Sequence, residues 1–206
     1  FVTAAEIMIR FIAHINDECG YLLRELNLGG GFGVRYVEED EHIDIIANIK
    51  AIAKEINKIC EEKNIIRPKI MFEPGRSLVA AAGLTLYTVG SVKTVPGFRN
   101  YVSIDGGMPD NPRYALYGSK YTALVANKAG EKADYECTLA GRCCESGDLI
   151  GEGMKIQKPE RGDTVAVLVT GAYNYSMASN YNRIPRPPIV AVEGGEAKLV
   201  VKRETY

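Results

Sequence analysis

The chain reads as an α/β unit followed by an all-β unit, and three observations predict it. Apolar residues recur at helical spacing between short extended runs up to residue 82; short strands follow one another from residue 83 to 206; and glycine clusters mark the ends of several strands. In order, Thr3–Cys19 is an amphipathic helix and Arg24–Leu28 a strand. A helix over Glu41–Glu62 follows, with Ile43, Ile46, Ile49, Ala53, Ile56 and Cys60 at spacings of three and four forming its buried face. Lys69–Phe72 is the next strand. Two strand-helix units cannot close a barrel of eight, so if residues 1–82 belong to a barrel, most of that barrel is missing from them. In the second half Leu84–Thr88, Tyr101–Ile104, Tyr121–Ala126 and Asp163–Val169 read as strands. Ile189–Val192 and Lys198–Lys202 pair as a hairpin through Glu193-Gly-Gly-Glu196. The expectation for 83–206 is an antiparallel β-sandwich or barrel-like domain.

Composition excludes several classes. With 46% apolar and 25% charged residues, the 206-residue chain is that of an ordinary globular protein and not a disordered one. A formal net charge of −1 with mixed signs offers no basic face to nucleic acid, and no apolar run reaches the roughly 18 residues of a membrane span. The five cysteines include the adjacent pair Cys143 and Cys144 and lack paired CxxC spacing, which fits reduced thiols in the cytoplasm. His14 and His42 have no ligand-spaced partner, so no metal site is expected. The sequence opens at Phe1 directly in a helical run and reads as a piece of a longer protein.

Five segments carry candidate chemistry. Glu73-Pro74-Gly75-Arg76 sets a carboxylate and a guanidinium three residues apart across a turn after a strand. The pair suits a ligand with a cationic and an anionic end, such as a cofactor with a protonated ring nitrogen and a phosphate; a surface turn with an incidental ion pair is the alternative. Gly29, Gly30 and Gly31 end the first strand and expose backbone N–H groups that can wrap an anion, or simply form a tight turn. The spacing is neither a dinucleotide fingerprint nor a Walker loop. Arg113 and Tyr117, four apart, can share one anionic group on a helical turn, or lie in a polar loop. Cys144 beside Glu145 suits a proton donor next to a charge-reading group, against the alternative of an unreactive thiol. Tyr173 follows an apolar strand, where a phenol can donate to a phosphate oxygen or pack at a rim.

The succession GGGFG, EPGR, DGGMxDxxRxALY, CESGD and GAYxYSMASNYN, from Asn27 to Asn182, resembles the diaminopimelate decarboxylases. These are pyridoxal-phosphate enzymes that join an alanine-racemase-like (β/α)8 barrel to a β domain, and the resemblance implies that residues 1–82 are the last strands and helices of that barrel and residues 83–206 the β domain. CESGD and RxALY separate them from the ornithine and arginine decarboxylases. The resemblance implies decarboxylation of meso-diaminopimelate to L-lysine and carbon dioxide, the last step of lysine biosynthesis, in a homodimer with shared active sites. It implies that the backbone of Gly29, Gly30 and Gly31 holds the cofactor phosphate. Glu73, followed by the Pro74-Gly75 turn, faces the pyridine nitrogen, and Arg76 serves the phosphate side and a substrate carboxylate. Arg113 and Tyr117 bind the far carboxylate. Cys144 donates the proton and Glu145 reads the distal ammonium, both in the neighbouring subunit's site, and Tyr173 closes over phosphate and substrate.

These roles make chemical sense. A carboxylate beside the ring nitrogen favours its protonated form, the better electron sink. A thiol with a reference pKa of about 8.5 can hold and release a proton near neutrality. The family's Schiff-base lysine and a ring-stacking His would fall before Phe1, and Lys69, at the start of its strand, is not expected to substitute. The chain alone is therefore expected to be inactive, and Arg203–Tyr206 looks cut short beside the family. The alternatives are a non-catalytic binding or assembly module, and a decarboxylase for a related substrate such as carboxynorspermidine.

Overall fold

A computed structural model describes residues 1–206, which fall into two compact units: Phe1–Arg35 with Glu41–Leu78, and Tyr36–Asp40 with Val79–Tyr206. In the first unit α1 (Val2–Cys19) buries Ala5, Ile9, Ile12 and Ala13, one face of a 3.6-residue period. Gly20 ends it in the left-handed region at φ 63°, donating its N–H to the Asn16 carbonyl at 2.9 Å. Strand β1 (Glu25–Asn27), helix α2 (Ile45–Glu62) and strand β2 (Lys69–Met71) follow, and the strands pair in parallel with Leu26 opposite Ile70 and Asn27 opposite Met71. Parallel neighbours need a crossover, which α2 supplies. Asp44 caps α2 by accepting from the Ala47 N–H at 2.9 Å.

The buried face of α2 agrees with the spacing at Ile56 and Cys60 and differs from it elsewhere. Ile52, Ile56, Ile59 and Cys60 join Ala5, Ile9, Ile12 and Leu26 in the core, while Ile43, Ile46 and Ile49 are 38%, 67% and 40% exposed. Apolar residues occupy two adjacent ridges of this segment, and periodicity does not say which ridge meets the core. Ile49 and Ala53 instead line a groove with Pro68, Ile70 and Phe72. A second difference lies after β2, where a turn was expected: Gly75–Val79 forms a short helix, α3, with the Leu78 N–H donating to the Pro74 carbonyl at 3.2 Å.

The second unit is a six-stranded sheet with a separate hairpin. Its strands are β3 (Leu84–Val95), β4 (Arg99–Ile104), β5 (Ala123–Val125), β6 (Tyr135–Ala140), β7 (Leu149–Ile156) and β8 (Thr164–Leu168). They lie in the order β5-β8-β3-β4-β6-β7, all neighbours antiparallel except β4 and β6. Long β3 serves two partners, pairing with β8 through Leu84–Thr88 and with β4 beyond a register shift after Val89. The edge strands β5 and β7 come together, and the Gln157 side chain just beyond β7 accepts the Val125 N–H at 2.8 Å. The sheet is thus nearly closed around Tyr87, Val89, Val102, Ile104, Val125, Leu139, Ile150 and Val165. Helix α4 (Arg113–Tyr117) lies between β4 and β5. Strands β9 (Ile189–Glu193) and β10 (Glu196–Val201) form the expected hairpin, with Gly194 and Gly195 both at positive φ as its tight turn requires. No helix is long and apolar enough to cross a membrane.

Candidate functional site

In the first unit the carboxyl ends of β1 and β2 carry the glycine turn and Glu73 side by side. Asn27 ties them: its Nδ2 donates to Glu73 Oε1 at 2.6 Å, and its Oδ1 accepts the Gly29 N–H at 2.8 Å. The Glu73 N–H then donates to the Gly29 carbonyl at 2.9 Å. The two segments approach so closely that a Cβ on Gly30 would lie 2.5 Å from the Glu73 carbonyl oxygen, so only glycine fits. Gly29 and Gly31 sit at φ of 71° and 101°. The N–H groups of Gly30 and Gly31 donate to no other protein group, which leaves two donors for an anion.

Glu73 and Arg76 do not pair with each other, in contrast to the incidental ion pair that the sequence left open. Arg76 sits in the first turn of α3, and the neutral amide of Asn27 holds Glu73 without cancelling its charge. Pro74 and Gly75 start that helix, with the Pro74 carbonyl accepting from Ser77 Oγ at 2.9 Å. Lys69 begins β2 at the end remote from Glu73, and its Nζ lies 3.6 Å from Glu25 Oε1.

In the second unit Arg113 is 7% exposed on α4 and sits among three tyrosine rings. Its guanidinium carbon is 5.1 Å from the ring centroid of Tyr173, 5.5 Å from that of Tyr36 and 5.7 Å from that of Tyr117. One terminal nitrogen donates to Ser119 Oγ at 3.3 Å, while Nε has no partner. A buried donor left unsatisfied is costly unless a ligand takes it. Tyr36 meets the Tyr121 ring edge-on at 5.4 Å, and the Tyr121 hydroxyl donates to Asn174 Oδ1 at 3.4 Å. Tyr173 holds φ 70°, strained for a bulky residue, which is a feature of residues fixed by their surroundings.

The loop between β6 and β7 carries Cys144 and Glu145. The exposed Cys144 donates its N–H to Asn182 Oδ1 at 2.8 Å, and Glu145 Oε2 accepts from the Tyr181 hydroxyl at 3.4 Å. The two adjacent cysteines differ. Desolvation first, and then the nearby Asp148 charge, pushes the Cys143 thiol up to about 12, so Cys143 stays protonated at neutral pH. All five cysteines are free, and no cluster of His, Cys, Asp or Glu is arranged to hold a metal. The structure thus brings Gly29–Gly31 to Glu73, Arg113 to Tyr117 and Tyr173, and Cys144 to Glu145. No hydrogen bond or ion pair joins the Arg113 group to the Cys144 group.

Two contributors escape a sequence reading. Asn27 has a local signal, since an Asn two residues before a glycine turn can accept that glycine's N–H. Tyr36 has none, because only tertiary packing brings it to Arg113.

Burial also lifts the Asp110 carboxyl to about 6, although the Tyr87 hydroxyl donates to it. A folded-state value above the unfolded one, about 3.9, stabilises the fold fully below about pH 4, and that contribution is lost as pH rises through 6. The Asp110→Asn variant should remove up to about 3 kcal/mol of this pH dependence. Chemical denaturation at pH 4 and pH 7 measures it; an unchanged difference between the two would contradict this origin.

A model of the pyridoxal-dependent decarboxylase C-terminal sheet domain matches residues 36–171, and the chain belongs to this family. Among its relatives, the chain is similar to several diaminopimelate decarboxylases. It is 51% identical over 206 residues to that of Bacillus subtilis and 47% identical over 206 residues to that of Staphylococcus aureus. The chain spans about half the length of these curated relatives, 47% and 48%. Its fold superposes on the M. jannaschii diaminopimelate decarboxylase in complex with L-lysine with a TM-score of 0.91 at 33% identity, covering 100% of this chain and 46% of that one. The corresponding Helicobacter pylori structure, also with L-lysine, gives 0.85 at 30% identity, covering 99% and 48%.

Proposed function

We propose that this chain is the C-terminal portion of a diaminopimelate decarboxylase that converts meso-diaminopimelate to L-lysine and carbon dioxide, the last step of lysine biosynthesis, in the cytoplasm. The observation that carries the reading is the Asn27-held, unpaired Glu73 carboxylate beside two free glycine N–H donors. Pyridoxal phosphate has the matching chemistry, a basic ring nitrogen and a phosphate. The N–H groups of Gly30 and Gly31 receive the phosphate, and Arg76 supports it and a substrate carboxylate. Glu73 keeps the ring nitrogen protonated, because a nearby carboxylate stabilises the cationic form.

When bound, the cofactor supplies an electron sink for the charge left at Cα as carbon dioxide departs. This chain's residues orient the substrate and manage the proton. Arg113 offers its unpaired Nε to the far carboxylate, with the Tyr117 and Tyr173 rings against its guanidinium. Glu145 reads the distal ammonium. Cys144, exposed and adjacent to Glu145, delivers its Sγ proton to Cα and regains one from solvent, a task closed to Cys143 at about 12. Cys144 and Glu145, both exposed on the loop between β6 and β7, serve the neighbouring subunit's site in a homodimer.

The test is to incubate the complete protein carrying this chain with pyridoxal phosphate and meso-diaminopimelate, measuring carbon dioxide and lysine. Equimolar release of both is expected, with none from the 206-residue chain alone, in which Lys69 begins β2 at the end remote from Glu73. Turnover of carboxynorspermidine in place of diaminopimelate would move the assignment to that substrate.

A further inference from the structure

We infer that Asp148 is a positioning residue that locks the loop bearing Cys144 and Glu145 to the loop leading into Arg113, so that proton donor and carboxylate anchor are set by one buried carboxylate. Asp148 is 3% exposed. Its Oδ1 accepts the Met108 N–H at 2.6 Å and its Oδ2 accepts the Cys143 N–H at 2.7 Å, one backbone donor from each loop. The donors are neutral and the acceptor is charged, which makes these the stronger kind of hydrogen bond.

The rest of both loops is built around that carboxylate. The Gly141 N–H donates to the Asp148 carbonyl at 2.8 Å and the Asp148 N–H to the Glu145 carbonyl at 3.1 Å, which closes the Cys144 loop on itself. The Arg142 N–H reaches across to the Gly106 carbonyl at 3.1 Å. A Cβ on Gly107 or on Gly141 would fall on the Asp148 carboxyl group, so each loop places a glycine where the carboxylate must pass. Asp110 extends the arrangement, accepting the Gly107 N–H at 3.0 Å and the Tyr87 hydroxyl, just before Asn111-Pro112 opens α4 at Arg113. No other side chain accepts from both loops.

The inference rests on the decarboxylase reading for the roles of Cys144 and Arg113, while the clamp itself stands on the geometry. Asn at position 148 keeps the shape but turns one acceptor into an amide that faces a backbone donor. In the complete decarboxylase, Asp148→Asn is expected to leave cofactor absorbance and saturation unchanged. It should lower kcat and raise KM together, for a loss of about 10²-fold in kcat/KM from displaced groups. Amide hydrogen exchange is expected to quicken jointly in residues 106–110 and 141–148 and nowhere in β3 or β8. Gly141→Ala, which crowds the carboxylate without removing it, is expected to give the same pattern.

Wild-type kinetic constants in Asp148→Asn would overturn the inference. So would loosening of only one loop, or general loosening of the sheet with loss of cofactor. Lack of diaminopimelate turnover by the wild-type protein would instead refute the decarboxylase reading, and the exchange measurement would still decide the clamp.

Discussion

Glu73→Gln is expected to lower kcat for meso-diaminopimelate by about 10³-fold, the upper range for removing one electrostatic stabiliser of a transition state. The amide is nearly isosteric and can still accept from Asn27 Nδ2, so the turn joining Glu73 to Gly29 should survive. What disappears is the negative charge that favours a protonated ring nitrogen. Because that charge matters most when electrons flow toward the ring, KM should change little while kcat collapses. Steady-state kinetics with saturating cofactor measures the effect. A variant that keeps kcat within a few-fold of wild type would remove Glu73 from the mechanism.

Arg113→Ala is expected to act on binding instead. Its guanidinium is nearly buried among the rings of Tyr36, Tyr117 and Tyr173, with Nε lacking a partner, so a substrate carboxylate there would form a charged hydrogen bond in a desolvated setting. Truncating one member of such a pair weakens binding by about 3 kcal/mol, or about 10²-fold. The loss should fall mainly on KM for diaminopimelate. Arg113→Lys should not rescue it, because a lysine lacks both the planar fork and the stacking on tyrosine faces. An unchanged KM in Arg113→Ala would place the far carboxylate elsewhere.

Much of this was legible in the sequence where one local rule decides the outcome. Helix α1, the hairpin at Gly194-Gly195 and the Arg113/Tyr117 pair each follow from a short-range pattern. Strands β6 and β7 were not anticipated. Gly151 and Gly153 interrupt β7, Gly153 at φ 62°, and register shifts break the pairing with β6, so neither shows clean alternation. The ridge of α2 that faces the core, and the helix starting at Gly75, depended on what packs nearby. At the site, residue types and order were visible; the supports were not. Asn27 has a local signal only for its bond to Gly29; its hold on Glu73, 46 positions away, and the contacts of Tyr36 with Arg113 and Asp148 with Met108, 77 and 40 positions away, lie beyond any local rule.

In the proposed decarboxylase, Glu73 stands beside a pyridine nitrogen and holds it protonated. Nitrogen-15 NMR of the complete protein loaded with ring-labelled pyridoxal phosphate reads that state directly. A protonated ring nitrogen at neutral pH in the wild type, turning neutral in Glu73→Gln, is the predicted result. A neutral ring nitrogen in the wild type, or one that stays protonated without the Glu73 charge, would contradict it.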